Sequence, residues 1–243
     1  MAPYTLTDAT VEILKNFANI NSQVLFKAGN AQRTCNPSRN FIADVELPQA
    51  LPVECALFEL NRLLGIIDTC KGTSLPSIAF GEHSLVVEHD HGAVTIPYAH
   101  KDVIMTPPQQ QFHLANPIAS FDMPLSLWTK MKRTASVLET TVMHIILNEQ
   151  GELQVKLVND KDTGDTAGSA SYNMPNTKVQ SAIKNTWAVK FDALTLIPGD
   201  YEIAIGEVGT SSSSTTLFGM FITLKDPNKK VTYLTSGHVV KSR

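Results

Sequence analysis

The chain has 243 residues, of which 43% are hydrophobic and 18% are charged, and its formal net charge is −3. This composition supplies enough apolar side chains for a folded core and therefore disfavours a disordered chain. The slightly negative charge disfavours a whole-surface affinity for nucleic acid, so any such contact has to come from local basic surfaces.

The first half of the chain begins with a predicted amphipathic helix over residues 7–19, with Thr7 or Asp8 as its N-cap and Lys15 on its polar side. A second helix is predicted over 56–69. Its Arg62 lies off the apolar stripe, and Gly65 in its interior indicates a packing or close-approach reason, because glycine costs roughly 1 kcal/mol there. The strands of this half are predicted at 23–27, 31–35, 41–47, 51–55, 77–80, 85–89 and 93–98, with a hairpin turn at 29–30.

The second half repeats this order with a strand over 118–123 and a helix over 124–138. On a helical wheel Lys130 and Arg133 lie opposite the apolar stripe, with Lys132 on its flank. A short helical turn is predicted at 192–196, before Pro198. The remaining strands are predicted at 140–147, 152–158, 169–174, 185–191, 200–206, 215–224 and 231–235.

A proline- and glutamine-rich tract over residues 106–117 separates the two halves. Its three prolines favour extended backbone, so neither a helix nor a strand is predicted there. Because helix, strands, helix and strands follow in this order on both sides, we predict two similar domains. They are residues 1–105 and 118–243, joined by a connector over 106–117.

No combination of residues points clearly to catalysis or to a metal. His83, His89 and His91 lie close together, but a zinc site needs further ligands, and none has a telling spacing. Asp160, Asp162 and Asp165 lack the spacing of a calcium loop. Nucleotide-binding and hydrolase motifs are also missing. We therefore expect neither an enzyme nor a cofactor.

The three cysteines, Cys35, Cys55 and Cys70, contain no CxxC pair and are typical of reduced thiols in an intracellular protein. The N-terminal residues do not resemble a secretory signal. No apolar run approaches the roughly 20 residues that span a bilayer. We expect an intracellular protein that makes no membrane contact.

The more informative residues are the cations on the polar sides of the helices, namely Lys15, Arg62, Lys130 and Arg133. Surface helices commonly expose such side chains without any function. Alternatively, several helices together present a weakly basic surface to DNA phosphates, which gives sequence-independent, salt-sensitive contact. Few aromatic residues accompany these cations, which argues against a platform for stacking single-stranded bases.

Three segments are informative when taken together: residues 13–22 (ILKNFANINS), residues 56–66 (ALFELNRLLGI) and residues 198–201 (PGDY). They resemble segments of the DNA polymerase sliding clamps of T-even-like bacteriophages. The first resembles their first helix and the turn after it, and the second resembles their second helix. Residues 198–201 (PGDY) resemble a turn in their second domain. The resemblance is close over the first 70 residues and loose after about residue 140.

The resemblance implies an α+β DNA-clamp fold, with two similar helix and antiparallel-sheet domains in each subunit of a homotrimeric ring. In that family the helices line the hole, the sheets form the outer wall, and duplex DNA passes through without chemistry. The implied partners are the replicative polymerase, an ATP-dependent clamp loader and, as in some relatives, late-transcription factors. The implied location is the cytoplasm of the phage's host.

The resemblance also implies three sets of site residues. The DNA-facing set is Lys15, Arg62, Lys130, Lys132 and Arg133. The pocket for partner peptides is formed by Phe41, Ala43, Phe112, Leu114, Ile118 and Tyr233. The subunit interface pairs the strand with Ala93, Val94, Ile96 and Tyr98 with the next subunit's strand with Ser169, Ser171, Tyr172 and Met174.

Three other functions remain open from the residues. A monomeric processivity subunit would hold the polymerase on DNA by direct affinity, but it needs a stronger basic surface. A structural phage or capsid-type protein explains the strands but not the matched basic helices. A hydrolase is disfavoured because no base lies beside a nucleophile.

Overall fold

A computed structural model of the chain describes residues 4–70, 76–148, 150–159, 168–180, 185–210 and 213–240. These residues form two compact units. The first comprises Met1–Pro107 with Asn228–Val231, and the second comprises Pro108–Pro227 with Thr232–Arg243. Both combine α-helical segments, two in the described part of the first unit and one in that of the second, with antiparallel sheets, as an α+β fold requires.

The first unit packs two helices on short antiparallel strands. The strands β6, β7 and β8 form a meander, with β1 pairing on the outer side of β6 and β8 at the other edge. Strand β2 pairs with β5, and β3 pairs with β4. In chain order the elements are β1 (Tyr4–Thr5), α1 (Asp8–Ile20), β2 (Val24–Phe26), β3 (Gly29–Cys35), β4 (Phe41–Leu51), β5 (Cys55–Leu57), α2 (Leu60–Thr69), β6 (Ser77–Phe80), β7 (Ser84–His89), β8 (Gly92–Pro97) and a 3-10 turn (Lys101–Val103).

The described residues of the second unit form one helix and two antiparallel arrays of strands. In order of pairing, one array is β12-β11-β10-β14-β18, and the other contains β13-β9-β15-β16-β17. The first two residues of β17 belong to the first unit. The elements are β9 (Phe112–Met123), α3 (Leu125–Leu138), β10 (Val142–Leu147), β11 (Leu153–Val158), β12 (Ala170–Asn173), β13 (Lys178–Val179), β14 (Asn185–Lys190), β15 (Tyr201–Thr210), β16 (Ser213–Leu224), β17 (Lys230–Ser236) and β18 (His238–Val239).

Apolar periodicity and capping explain the helices. Thr7 is the N-cap of α1, and its hydroxyl accepts a hydrogen bond from the Thr10 amide. The apolar sides of α1 and α2 are buried, with Phe17 and Leu60 fully enclosed. In α3 the stripe of Trp128, Met131 and Ala135 is buried. The predicted helices at 7–19 and 124–138 are therefore confirmed within one residue at each end.

The second predicted helix begins later than expected. Residues 56 and 57 belong to β5, which pairs with β2, and α2 starts at Leu60. The predicted hairpin turn at Gly29–Asn30 is also wrong, because β2 pairs with β5 and not with β3. Gly29 instead opens β3 with φ 104°, a left-handed conformation that favours glycine. Pairing between distant segments has overridden local propensity here.

Two strands run through prolines at positions where no strand was predicted. Phe41–Leu51 is one strand, and Pro48 lies where the β3–β4 register shifts. Residues 112–117 of the predicted structureless tract belong to β9, which pairs with β15. The register shifts on both sides of the Pro117 pairing, and such irregularities accommodate a residue that has no N–H to donate. Gly206 faces this point, and any side chain there would overlap the carbonyl oxygen of Asn116.

The helical turn predicted at residues 192–196 is only a turn. The Leu194 amide donates to the Phe191 carbonyl at 3.2 Å, and no helical run follows. Pro198 disfavours helical backbone at Ile197, which stops the helix from propagating. Of the other predicted features, the acidic cluster Asp160, Asp162 and Asp165 lies outside the described residues.

Candidate nucleic-acid interface and assembly edges

The outward side of α3 presents cations without acids. At about 100° per residue, Ser126, Lys130, Arg133 and Val137 fall within one sector of the helix, and all four are exposed. Val137 is 81% exposed, so this sector, which we name the α3 face, points into solvent. Among the described residues, neither Lys130 nor Arg133 forms an ion pair.

Lys132 is placed differently from the other predicted DNA-facing residues. Its Nζ lies 5.0 Å from the Trp128 ring centre and 4.6 Å from that of Phe191. It donates a hydrogen bond of 3.1 Å to the Phe191 carbonyl oxygen. Burial lowers the pKa of the Lys132 ammonium, and the charge of Asp192 opposes part of this shift. These contacts direct the side chain toward the body of the unit.

In the first unit α1 and α2 lie side by side and share an outward surface. Lys15 Nζ on α1 lies 3.1 Å from the Asp68 carboxylate on α2. Glu12 of α1 is paired with Lys229, which belongs to the same unit, at 2.6 Å. Arg62 is exposed on α2 and forms no ion pair within the described part of the chain. We name the surface formed by Asp8, Glu12, Lys15, Arg62 and Asp68 the α1–α2 face.

Gly65 lies in the middle of the exposed side of α2 and has no packing reason to be glycine. A Cβ built there meets nothing within 4 Å. Its carbonyl oxygen accepts a hydrogen bond from the Thr69 hydroxyl at 2.8 Å, which any residue would allow. The close-approach partner expected from the sequence is therefore not among the described residues.

The residues predicted for the partner pocket occupy two kinds of environment. In the first unit Phe41 and Ala43 are buried in β4. In the second unit Ile118 and Tyr233 are buried, and the Tyr233 hydroxyl accepts a hydrogen bond from the Ile197 amide at 3.1 Å. Phe112 and Leu114 are half-buried in β9, opposite Thr210 and Val208.

Each unit has one edge strand from the predicted subunit interface. In the four-stranded sheet β8 pairs only with β7, and in the five-stranded sheet β12 pairs only with β11. Among the described residues, the free edge of each strand has no backbone partner. Ala93, Ser169 and Ser171 are exposed, Val94, Tyr98 and Tyr172 are half-buried, and Ile96 and Met174 are buried.

Tyr98 follows β8 and has an unusual hydroxyl group. The oxygen is buried, with no hydrogen-bond partner among the described residues. Burial raises the pKa of Tyr98 to about 12, with a smaller contribution from nearby Cys55. The pKa of the Cys55 thiol is likewise raised to about 12 by burial. A thiol held in its neutral form is a poor nucleophile.

A polar groove on the second unit was not predicted from the sequence. The Asp122 carboxylate accepts a hydrogen bond of 2.7 Å from the side-chain amide of Asn176 and forms an ion pair with Lys225. These contacts, led by the Asn176 hydrogen bond, lower the pKa of the Asp122 carboxyl. Lys178 and Glu202 are the other charged residues that line the groove. No sequence signal links these residues, because they lie on separate segments of the chain.

The described part of the chain has neither a metal-binding cluster nor a membrane-spanning helix. None of its groups of histidine, cysteine, aspartate or glutamate side chains is arranged to hold a metal ion. Its helices are too short or too polar to cross a bilayer.

Two phage proteins are related to the chain along most of its length. It is 25% identical over 210 residues to the sliding clamp of Vibrio phage KVP40, covering 85% of this chain and 92% of that protein. It is 23% identical over 206 residues to the sliding clamp of Escherichia phage RB69, covering 84% of this chain and 88% of that protein. No protein-family model matches the chain.

Solved PCNA structures share the fold. PCNA of Thermococcus kodakaraensis superposes with a TM-score of 0.66 at 10% identity, covering 97% of this chain and 99% of that one. A. fulgidus PCNA, solved with the C-terminal region of FEN-1 bound, gives 0.66 at 13% identity and covers 100% of both chains. The PCNA2–PCNA3 complex of Sulfolobus tokodaii gives 0.63 at 12% identity, covering 97% and 98%. The chain has the DNA-clamp fold, and the predicted resemblance to phage sliding clamps is confirmed.

Proposed function

We propose that this chain, whose fold and relatives are those of sliding clamps, is the subunit of a homotrimeric ring that encircles duplex DNA. The ring tethers the replicative DNA polymerase and so confers processivity. Tethering keeps a dissociated polymerase at high effective concentration beside the same primer end. An ATP-dependent clamp loader opens and places the ring, and the protein acts within the host cytoplasm.

The observation that carries this proposal is a pair of edge strands, β8 in one unit and β12 in the other, each of which pairs on one side only within the described part of the chain. An exposed edge invites uncontrolled pairing with other chains. If β8 of one subunit pairs with β12 of the next, both edges are covered by a head-to-tail contact. Such a heterologous contact forms a ring when the rotation closes. The interface residues are those predicted from the sequence, from Ala93 to Tyr98 and from Ser169 to Met174.

The charges suit a ring that slides. Clamps act by enclosing DNA, so tight binding to phosphates would impede movement. The predicted DNA-facing residues are few, and the net charge of −3 discourages DNA from settling on the exterior. Sequence-independent contact with the backbone is the expected mode.

Partners dock on the ring by short peptides in this proposal. A FEN-1 peptide is bound in the A. fulgidus PCNA structure, and by analogy the polymerase and clamp loader use the pocket predicted around β4 and β9. Late-transcription factors would use the same pocket. The protein itself performs no chemistry and needs no cofactor, as expected for a processivity factor.

The first experiment is the absolute mass in solution, measured by light scattering after size-exclusion chromatography at high and low protein concentration. We expect the mass of three chains at high concentration. Ala93→Lys on the β8 edge should abolish this assembly, because a lysine there opposes strand pairing. Thr5→Lys is the matched control, since Thr5 is exposed on β1 at the opposite edge of the same sheet.

A monomer at every concentration would contradict the ring. It would instead favour a monomeric processivity subunit that holds DNA by direct affinity. Equal loss of assembly in both lysine variants would show that the subunit contact does not depend specifically on the β8 edge.

A further inference from the structure

The net positive charge of the helices is concentrated on α3. Its sequence contains Lys130, Lys132 and Arg133 and no acid. By contrast α1 contains Asp8, Glu12 and Lys15, and α2 contains Arg62 and Asp68. The two units therefore differ in the charge that their helices present.

The cations of the α1–α2 face are offset by neighbouring acids. Lys15 is held by Asp68 at 3.1 Å, in a pair whose side chains are each about half exposed. Lys229 is held by Glu12, and its side chain is only 19% exposed. Together with Asp8 and Arg62, which are not paired with each other, this face and Lys229 contain three acids and three cations, so their net charge is zero. A lysine already paired with a carboxylate gains less from a phosphate, because the ion pair has to be given up.

The α1–α2 face also lacks a side chain at its Gly65 position. Gly65 lies at the centre of the exposed side of α2, flanked by Asn61 and Thr69, and nothing fills the space above it. A glycine in this position costs about 1 kcal/mol relative to alanine and has no intramolecular reason. A neutral and shallow surface is what a passing duplex would slide over without being held.

We infer that each subunit contacts DNA phosphates through the α3 face, with Lys130 and Arg133, while the α1–α2 face makes no net attraction to DNA. This inference rests on the proposed function, in which the helices surround the duplex. Lys132 takes no part in the contact, because its ammonium is held between the Trp128 ring and Phe191.

The inference predicts a specific salt dependence. Each phosphate contact contributes about −0.9 to the slope of log K against log salt, so the two cations contribute about −1.8 for each subunit in contact. Replacing both should remove that part of the slope and weaken binding at low salt. Replacing the two cations of the α1–α2 face should leave the slope almost unchanged.

The test measures the binding of the assembled protein to a fluorescently labelled duplex by anisotropy over a range of salt. Lys130→Gln with Arg133→Gln is compared with its matched control, Lys15→Gln with Arg62→Gln. We expect a loss of roughly tenfold or more at low salt for the α3 variant only. Light scattering on each variant establishes that assembly is unchanged.

A gain of binding tests the role of Asp68 directly. Asp68→Asn removes the partner of Lys15 and changes the net charge of the α1–α2 face with Lys229 from zero to +1, so this variant should bind the duplex several-fold more tightly than the wild type. An unchanged affinity would overturn the neutralisation of Lys15 by Asp68.

Two other results would overturn the inference, and they are distinguishable. If the wild type binds duplex normally but both double variants lose affinity equally, the contact is shared between the faces and the clamp function stands. If the wild type binds no duplex at low salt and does not assemble, the proposed function fails as well.

Discussion

The side chain of Lys132 holds α3 against Phe191, the residue that follows β14. Its ammonium lies 4.6 Å from the Phe191 ring centre and donates to the carbonyl oxygen of the same residue. The Trp128 and Phe191 rings meet edge-on with centres 5.0 Å apart. The lysine stem and both rings therefore form one packed cluster that fixes the helix which carries Lys130 and Arg133.

Lys132→Ala should lower the free energy of unfolding by about 2 kcal/mol, because it removes the packing of the stem, the cation–π contacts and a hydrogen bond. Lys132→Met keeps the stem and removes the partly desolvated charge, so it should cost less than about 1 kcal/mol. Denaturant unfolding measures both. Lys130→Ala is the matched control on the exposed side, with a change within about 0.5 kcal/mol. Equal effects of Lys132→Ala and Lys130→Ala would show that the cluster contributes nothing.

We predict that the stability of the second unit falls in acid because of the Asp122 carboxyl group. Its pKa is lowered in the folded protein, mainly by the Asn176 hydrogen bond and then by Lys225. A lowered folded pKa adds stability above the unfolded pKa, and this stability is lost as pH falls below about 4. Unfolding of the wild type should therefore depend more steeply on pH in that range than unfolding of Asp122→Asn.

A second variant distinguishes the contribution of Asn176 to the acid dependence from that of Lys225. Asn176 has φ 52°, so Asn176→Gly removes the amide donor without backbone strain. It should flatten the acid dependence partly and leave the Lys225 contribution, which added salt then screens. An acid dependence identical in the wild type and Asp122→Asn would exclude Asp122 as its source.

Helix positions followed from local signals in the sequence. The Thr7 N-cap and the apolar stripe predicted the position of α1. The helical wheel of α3 predicted that Lys130 and Arg133 lie opposite its buried side. The same wheel placed Lys132 on the flank, and its burial depends on Phe191, which is distant in the chain. The start of α2 was missed because β5 is a strand only through its pairing with β2.

Charge pairing could not be read from the sequence. Lys15 and Asp68 lie on different helices, and Lys229 reaches Glu12 from the far end of the chain. A count of cations alone therefore predicted the same basic character for the α1–α2 face and the α3 face. The edge positions of β8 and β12 were expected from the clamp resemblance. By contrast, β18, the other edge strand of the five-stranded sheet, was not predicted because two residues are too few to give a strand pattern.

Two glycines with opposite surroundings provide the last prediction. Gly65→Ala should raise the free energy of unfolding by about 0.5–1 kcal/mol, because alanine favours the helix and its Cβ meets nothing within 4 Å. Gly206→Ala should instead destabilise strongly, since its Cβ would overlap the Asn116 carbonyl in the β9–β15 pairing. Thermal and denaturant unfolding of both variants measure the difference. A Gly65→Ala variant less stable than the wild type would reveal a contact at α2 in the assembled protein, where a ring of subunits could supply it.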